Sequence, residues 1–558
     1  MYKLLIASII IHNSFAQAPR HDAPAKGDIL GPFLWHSAIY PGTERNYWLY
    51  VPKQYDSSRP ACVMVVQDGL VRANGWKLPA VLDSLIHTKE VPVMIGIFID
   101  AGIVPPTDSS SLPRFNRSFE YDALGDRYAR MLLEEILPEV SRSYNLSINS
   151  NDRSIAGASS GAICAFNVAW ERPDAFSRVF SSIGTYVGLR GGHEFASLIR
   201  KTEAKPLRIF LQDGTRDNNI YAGDWWVANQ DMLSAFTWAG YEVNHAWGEG
   251  GGHDNRHTIT ILADALKWLW KKYPEPVLTH TDSIIRTNPI VKNQPWKEIL
   301  INKRPEKLAI DQSGTLFFSD QQAIYKSGDK GIAILLTTLK GKAGGMSFHP
   351  DGRLYVCDLG KRKIIAIDKN GSIQEILANV DANFLTISNK GIYFTDSLKN
   401  QVAFYNFSKK QVQYTSVRGN PTGLSLTAEQ TFINVGLANR VLGYSFKILE
   451  DGNLSSGQDY THYHIPYGTN SPETGGIVTD TANLSYSATS MGIQMSDQLG
   501  RINFIISKPT DHIEDLGFGG PDFNLLYVTG NGKLFCRKVN TKGILAWLPA
   551  VKPPRPRL

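Results

Sequence analysis

Three aspartates spaced 38 residues apart most restrict the fold of the second half of this chain. Asp320, Asp358 and Asp396 each end a short motif that begins with glycine and continues with apolar residues, as in GRLYVCD at 352–358. A repeat of about 40 residues with several short strands is typical of β-propeller blades, each of which buries its faces against its neighbours. Residues 294–550 would hold about six such blades, so we expect an all-β six-bladed β-propeller there.

The first half has a different pattern, in which β-rich apolar runs alternate with helical stretches. This alternation predicts an α/β domain with a mostly parallel sheet flanked by helices. Two domains are also expected because a single core stops growing at about 250 to 300 residues. We place the α/β domain at 17–275, a linker at 276–293 and a basic tail at 551–558. The predicted strands are 45–50, 62–67, 93–99, 153–156, 179–182 and 207–212, and the predicted helices are 126–139 and 259–272.

Residues 1–16 have the features of a secretion signal. Lys3 precedes the apolar run 4–11, and small residues close to Ala16 suit a signal peptidase. The run is shorter than the roughly 20 apolar residues that span a bilayer. We therefore expect export to the periplasm or the extracellular space, without a membrane span. The net charge of +6 is mild for 558 residues, which argues against nucleic acid as a partner, while the oligomeric state stays open.

The motif GASSG at 157–161 follows an apolar strand and precedes a helical stretch. This context predicts a nucleophile elbow, the strained turn that exposes a serine hydroxyl at the end of a strand. The register of the motif selects Ser159 as the nucleophile over its neighbour Ser160. The backbone N–H of Ser160 is then expected to stabilise the oxyanion.

A serine nucleophile needs a base and an acid, which follow it along the chain in this fold in the order acid, then histidine. The turn after strand 207–212 carries two aspartates, and we favour Asp217 over Asp213 because it lies further beyond the strand end. His253 lies in a glycine-rich loop before the last helix and is the predicted base. The alternatives are His245, in strand-like sequence, and His257, at a helix start.

A second oxyanion donor is expected from the loop that follows an early strand. Strand 62–67 leads into Asp68, Gly69 and Leu70. Because Gly69 permits a close backbone approach, the N–H of Gly69 or Leu70 is the predicted donor. The alternative is a simple turn.

These motifs resemble the Putative esterase group of α/β-hydrolases, over residues 29–273. This group includes the feruloyl and acetylxylan esterases of carbohydrate esterase family 1, S-formylglutathione hydrolase, enterochelin esterases and mycolyltransferases. The segments that carry the resemblance are 67–69, 117–122, 133–138, the elbow, 213–217 and 252–254.

The resemblance implies that the loop with Arg117 and Glu120 borders the active site. By their chemistry these two residues either bind a sugar or acid group of the substrate or form a structural ion pair. Trp225 and Trp226, just after the acid loop, either stack on a sugar or phenol ring or pack in the core.

The second domain resembles the gluconolactonase and senescence marker protein 30 family, notably at 487–494, 497–501 and 516–522. Those enzymes hold one divalent cation at the propeller centre with a glutamate, two asparagines and an aspartate. Glu306 and Asn383 match two of these ligands. However, Thr422 replaces the second asparagine and the pair Gly475-Gly476 replaces the aspartate. We therefore expect no propeller metal and a non-catalytic propeller.

Together these features predict an exported serine carboxylic ester hydrolase that needs no cofactor and acts through an acyl-enzyme. The expected partner is a polysaccharide or small ester substrate, with feruloyl or acetyl esters of plant cell-wall xylan favoured. The alternatives are a carbohydrate-binding protein with a vestigial esterase, a metal-dependent lactonase in the propeller, and a siderophore esterase or acyltransferase.

Overall fold

The computed structural model describes residues 23–278, 289–291, 293–328 and 331–556. The predicted signal segment 1–16 and most of the predicted linker lie outside these residues. Within them, no helix combines the length and apolar character that crossing a membrane requires.

A ten-stranded mixed sheet forms the centre of the first domain. Its strands are β1 (Asp28–His36), β2 (Glu44–Val51), β3 (Cys62–Gln67), β4 (Met94–Ile99), β5 (Ile103–Val104), β6 (Arg114–Phe115), β7 (Arg153–Ala158), β8 (Arg178–Ser182), β9 (Arg208–Gly214) and β12 (Glu242–Gly248), while β10 (Asn219–Ile220) and β11 (Gly223–Asp224) form a separate hairpin. The order is β12-β9-β8-β7-β3-β4-β2-β5-β6, with β1 paired to β2. The six strands from β12 to β4 are parallel, which confirms the mostly parallel sheet.

Nine α-helices in the described part of this domain lie around the sheet and along its loops. They are α1 (Gly69–Gly75), α2 (Leu78–His87), α3 (Arg117–Tyr121), α4 (Arg127–Arg130), α5 (Leu137–Ser141), α6 (Ser160–Glu171), α7 (Phe195–Lys201), α8 (Trp225–Ala239) and α9 (Arg256–Leu269). The predicted helix 126–139 is α4 and α5 joined by a π-helical stretch, Met131–Ile136. That stretch lies directly before Pro138, which has no N–H to continue a regular α-helical ladder.

All six predicted strands are present in the sheet, which also contains β1, β12 and the two-residue strands β5 and β6. Strand β1 contains Gly31-Pro32, a dipeptide that normally marks a turn. Strand β12 lies at the sheet edge, and its sequence EVNHAWG lacks the continuous apolar run of the buried strands. The amino-acid composition of β1 and β12 therefore does not indicate strands. Their pairing with β2 and β9 defines them.

The second domain is a ring of six four-stranded antiparallel sheets, which confirms the six-bladed propeller. The blades are β14 (Leu308–Ile310), β15 (Leu316–Asp320), β16 (Ala323–Ser327), β17 (Ala333–Thr338); β18 (Ala343–Phe348), β19 (Leu354–Asp358), β20 (Lys363–Ile367), β21 (Ile373–Ala378); β22 (Ala382–Ile387), β23 (Gly391–Asp396), β24 (Gln401–Asn406), β25 (Gln411–Ser416); β26 (Pro421–Leu426), β27 (Phe432–Leu437), β28 (Leu442–Lys447), β29 (Gln458–His462); β30 (Ile477–Thr479), β31 (Ser485–Thr489), β32 (Gly492–Ser496), β33 (Ile502–Ile506); and β34 (Asp515–Gly519), β35 (Leu525–Gly530), β36 (Lys533–Lys538) with β13 (Lys297–Ile299). Because β13 precedes the first blade and completes the last, the ring is closed through hydrogen bonds.

The aspartates of the 38-residue repeat occupy the same position in the first three blades. Asp320, Asp358 and Asp396 each end the second strand of a blade. The carboxylate of Asp358 accepts the N–H of Lys361, and that of Asp396 accepts the N–H of Lys399. In these two blades the aspartate therefore holds the turn that leads into the third strand, whereas Asp320 accepts the N–H of Arg304.

The two domains contact each other where the end of α7 meets the outer strand β33. The N–H of Glu203 donates to the carbonyl of Ile505 at 3.3 Å, and Ile505 is buried in the apolar core of the first domain. The carboxylate of Glu203 also accepts two hydrogen bonds, of 2.8 and 2.6 Å, from the guanidinium of Arg537. The propeller is thus packed directly on the α/β domain.

Replacing Arg537 with methionine is expected to destabilise this contact by about 1 to 3 kcal/mol, because Glu203 keeps a largely buried carboxylate without its partner. The measurement is the urea midpoint of the full chain. The matched control is Lys533→Met, which breaks the exposed pair with Glu298 and is expected to cost under about 1 kcal/mol. Equal midpoints for the two variants would contradict the prediction.

Candidate active site

Ser159 lies in a strained turn between β7 and α6. Its backbone has φ 58° and ψ −124°, a conformation that a residue with a side chain rarely adopts. The turn also requires glycine at 157, because a Cβ added there would lie 2.1 Å from the carbonyl oxygen of Gly161. The sequence GASSG therefore forms the sharp strand-to-helix elbow that was predicted.

Gly157→Ala is expected to lower kcat/KM by about 100-fold or more, because the added methyl must displace the first turn of α6 and with it Ser159. The check is steady-state kinetics together with the thermal unfolding midpoint. Gly517→Ala is the matched control, since a Cβ there meets its nearest neighbour at an ordinary 3.4 Å. Equal activity for both variants would show that the elbow tolerates a Cβ.

The structure brings Ser159, His253 and Asp217 into one chain of hydrogen bonds. His253 Nε2 lies 2.9 Å from Ser159 Oγ, and His253 Nδ1 lies 2.6 Å from Asp217 Oδ1. Burial opposes ionisation of Asp217, but the hydrogen bonds with His253, Asp213 and the N–H of Asn218 together outweigh burial and hold the pKa of the carboxyl below its usual value. An ionised carboxylate can therefore hold the imidazole with Nε2 free to accept the serine proton.

The other predicted histidines and the second serine lie elsewhere. His245 is exposed on β12 beside Trp247, and His257 Nδ1 lies 3.3 Å from Gln212 Nε2. Ser160 is the first residue of α6. None of these side chains hydrogen-bonds to Ser159 in the described structure.

Two helix N-termini meet beside Ser159. The turn after β3 leads into α1 with positive φ at Asp68 and Gly69, and a Cβ added to Gly161 would lie 3.1 Å from Gln67 Cβ. The start of α1 is thus packed against the start of α6. The N–H groups of Gly69, Leu70 and Ser160 donate no hydrogen bond to any described residue. They are available to an anion, as the oxyanion prediction requires.

Arg117 and Glu120 do not form an ion pair with each other, so the interpretation of these two residues as one structural pair is wrong. Arg117 donates to both carboxylate oxygens of Asp68, at 2.6 and 2.9 Å. Glu120 accepts from Arg45 at 2.7 Å, and both side chains of this pair are completely buried. Because Glu120 is inaccessible, it is not a substrate-binding residue, whereas Arg117 remains partly exposed beside the oxyanion loop.

The two tryptophans lie in different environments, and the structure favours core packing over ring stacking for Trp225. Trp225 is 3% exposed, packs edge-on against His253 with ring centroids 6.0 Å apart, and is therefore inaccessible to a substrate ring. Trp226 is half-buried and packs edge-on against Trp247 of the edge strand. Trp225 supports the histidine rather than the substrate.

Sequence reasoning missed one residue at the nucleophile. Thr185 follows β8 and is buried, with its hydroxyl 3.2 Å from Ser159 Oγ and 3.3 Å from the Trp225 indole nitrogen. No motif marks this threonine. Its position in the loop after the strand next to β7 was the available signal, because the ends of adjacent parallel strands meet at one edge.

The residues at the propeller centre do not fit the divalent cation that the second resemblance implies. The carboxylate of Glu306 lies 2.8 Å from the ammonium of Lys342, which already neutralises it. A Cβ added to Gly476 would lie 1.9 Å from Asp515 Oδ1, so no aspartate fits there. The amide of Asn383 donates to Ser397. Over the described residues, no group of three or more His, Cys, Asp or Glu side chains could hold a metal.

Comparison with known proteins finds similarity in the first domain. Residues 38–267 match the family model described as Putative esterase. The iron(III) enterobactin esterase of Dickeya dadantii is 27% identical over 243 residues, which are 40% of this chain and 52% of that protein. The chain thus spans about half the length of that relative.

Two further proteins are also similar to this chain. Lactonase drp35 of Staphylococcus saprophyticus is 27% identical over 202 residues, which are 32% of this chain and 60% of that protein. A gluconolactonase structure from Xanthomonas campestris is 18% identical, with a TM-score of 0.41, and covers 46% of this chain and 93% of its own.

Proposed function

We propose that this chain, which carries a domain of the Putative esterase family at residues 38–267, hydrolyses carboxylic esters through an acyl-enzyme on Ser159. The observation that carries the proposal is the chain of hydrogen bonds from Ser159 to His253 to Asp217, at 2.9 and 2.6 Å, on a strained elbow. A bare serine hydroxyl is a weak nucleophile, and this arrangement supplies both its base and the group that orients the base.

In the proposed mechanism, His253 Nε2 accepts the proton of Ser159 Oγ as that oxygen attacks the ester carbonyl. Asp217 stabilises the imidazolium, and the N–H of Ser160 with that of Gly69 or Leu70 stabilises the oxyanion. The imidazolium then protonates the leaving alcohol. Water enters, His253 removes its proton, and the second attack releases the acid and restores Ser159.

For the substrate, we propose a feruloyl or acetyl ester on plant cell-wall polysaccharide, cleaved by an exported enzyme. The resemblance to carbohydrate esterase family 1 and the signal-like residues 1–16 support this choice. A second candidate, a siderophore ester, is favoured by one specific observation: the first domain is similar to the iron(III) enterobactin esterase of Dickeya dadantii, at 27% identity over 243 residues.

The propeller is proposed to be non-catalytic and to bind or support a large substrate. A metal-dependent lactonase there conflicts with the Glu306–Lys342 ion pair and with the lack of space at Gly476. A lactonase would retain activity in Ser159→Ala and lose it with a chelator.

The experiment measures three products with wild type and Ser159→Ala: ferulate and acetate from native xylan, and cleavage products of enterobactin. Product from the wild type alone supports the acyl-enzyme, and its identity selects the substrate. Equal product from Ser159→Ala contradicts the proposal. If neither protein releases product while xylan retards both in a gel, the carbohydrate-binding alternative is favoured.

A further inference from the structure

Two carboxyl groups with unpaired oxygens lie side by side at the acid end of the triad. Asp213 is the next-to-last residue of β9 and has no exposed surface, and its carboxyl is within hydrogen-bonding reach of that of Asp217. The Oδ2 atoms of both residues are buried and have no donor among the described residues. Two ionised carboxylates here would place like charges together and leave both oxygens unsatisfied, which is costly in a protein interior.

The remaining oxygens of the two residues are fully used. Asp213 Oδ1 accepts the N–H of Gly214 at 2.8 Å. Asp217 Oδ1 accepts the N–H of Asn218 at 2.5 Å and the proton of His253 Nδ1. A single proton between the two Oδ2 atoms would therefore satisfy both groups and leave one negative charge on the pair.

We propose that Asp213 is protonated in the working enzyme and that its Oδ2–H donates to Asp217 Oδ2, which makes Asp213 a positioning residue for the acid of the triad. The inference rests on the proposed esterase chemistry. The hydrogen bond fixes the rotation of the Asp217 carboxylate, so that Oδ1 stays directed at His253. It also keeps a second negative charge away from the histidine, which must give up its proton to the leaving alcohol.

The surroundings of Asp213 favour the neutral acid. Burial, followed by the hydrogen bond and charge of Asp217, raises the pKa of Asp213 to about 9. The amide of Asn229 on helix α8 and the N–H of Gly214 act in the opposite direction and lower the pKa of Asp213, but burial and Asp217 outweigh them. Strand β12 places the uncharged side chain of Trp247 opposite Asp213. The loop before α9 contributes His253, which is hydrogen-bonded to Oδ1 of Asp217. No cation is among the main causes of the shift in the pKa of Asp213.

The proposal predicts the direction of two pH effects. Because the pKa in the folded state is raised above the usual 3.8, the stability that Asp213 contributes is complete below about pH 4 and is lost as the pH rises to about 9. Above about 9 the proton leaves, the hydrogen bond to Asp217 is lost, and kcat falls. An asparagine at 213 donates the same hydrogen bond and has no proton to lose.

The test compares wild type, Asp213→Asn and Asp213→Ala on 4-nitrophenyl acetate from pH 6 to pH 10.5, with the rate of Ser159→Ala subtracted as background. Asp213→Ala is expected to lower kcat by about 10- to 100-fold with a smaller change in KM. Asp213→Asn should rescue most of this loss near pH 7 and move the alkaline fall to higher pH. Asp264→Asn, which changes an exposed aspartate on α9, is the control and should leave the alkaline limb unchanged.

A second measurement needs no turnover. Urea midpoints of wild type and Asp213→Asn, both in the Ser159→Ala background, should diverge as the pH rises to about 9 and then stay apart by a constant amount. Parallel curves, or an Asp213→Asn variant as impaired as Asp213→Ala, would overturn the proposal. If the midpoints diverge while the wild type cleaves no ester, the proton pair stands and the proposed function fails.

Discussion

Ser159→Ala, His253→Ala and the double variant are expected to lose the same activity, about 10⁴- to 10⁶-fold in kcat, because residues that act as one unit lose little more when a second member is removed. We expect the residual rate to come from the N–H groups of Ser160 and the Gly69 loop, which are proposed to stabilise the oxyanion. The measurement is kcat on the ester identified in the product assay, with circular dichroism to show that each variant is folded.

The matched control for the base is His245→Ala. This histidine is exposed on β12 and makes no contact with Ser159, so its removal should leave kcat within about threefold of wild type. Multiplicative losses in the double variant would contradict the triad, because they would mean that Ser159 and His253 act independently. A loss of activity in His245→Ala equal to that in His253→Ala would contradict the assignment of His253 as the base.

The elbow, the buried central strands and the propeller blades could be predicted because each has a clear signal in the sequence. GASSG with its flanking strand and helix predicts the elbow, and the 38-residue repeat predicts the blades. The order of acid and histidine then selects Asp217 and His253, which the structure brings to Ser159. The elbow is marked by adjacent residues, whereas the blades and the triad are marked by a fixed spacing and a fixed order along the chain.

The rest of the site depends on partners that are distant in sequence. Arg117 and Glu120 are three residues apart, which favours a mutual pair, yet Glu120 pairs with Arg45, 75 residues away, and Arg117 with Asp68. The proximity of Thr185 to Ser159 likewise arises only when adjacent parallel strands end together. Such contacts follow from sheet order, which a single sequence does not encode locally.

Of the changes considered, we expect breaking the buried ion pair of Arg45 and Glu120 to have the largest effect on stability. Arg45→Met is expected to destabilise the first domain by about 3 to 5 kcal/mol, because it leaves a carboxylate with no exposed surface and no counter-ion. The only other donor to Glu120 is the N–H of Gly102, at 3.0 Å, among the described residues. A domain of this size should then lose about 10 °C in its melting temperature.

The control and the double variant separate the charge from the packing. Arg130→Met breaks the exposed pair with Glu134 and should cost under about 1 kcal/mol. Arg45→Met combined with Glu120→Leu should cost less than the single change, since replacing both charges of a buried pair removes the unpaired carboxylate. If the double variant is instead less stable than Arg45→Met, the pair is a packing element whose shape matters more than its charge. Because Glu120 and Arg117 share α3, that outcome would also make the oxyanion loop sensitive to the shape of the helix.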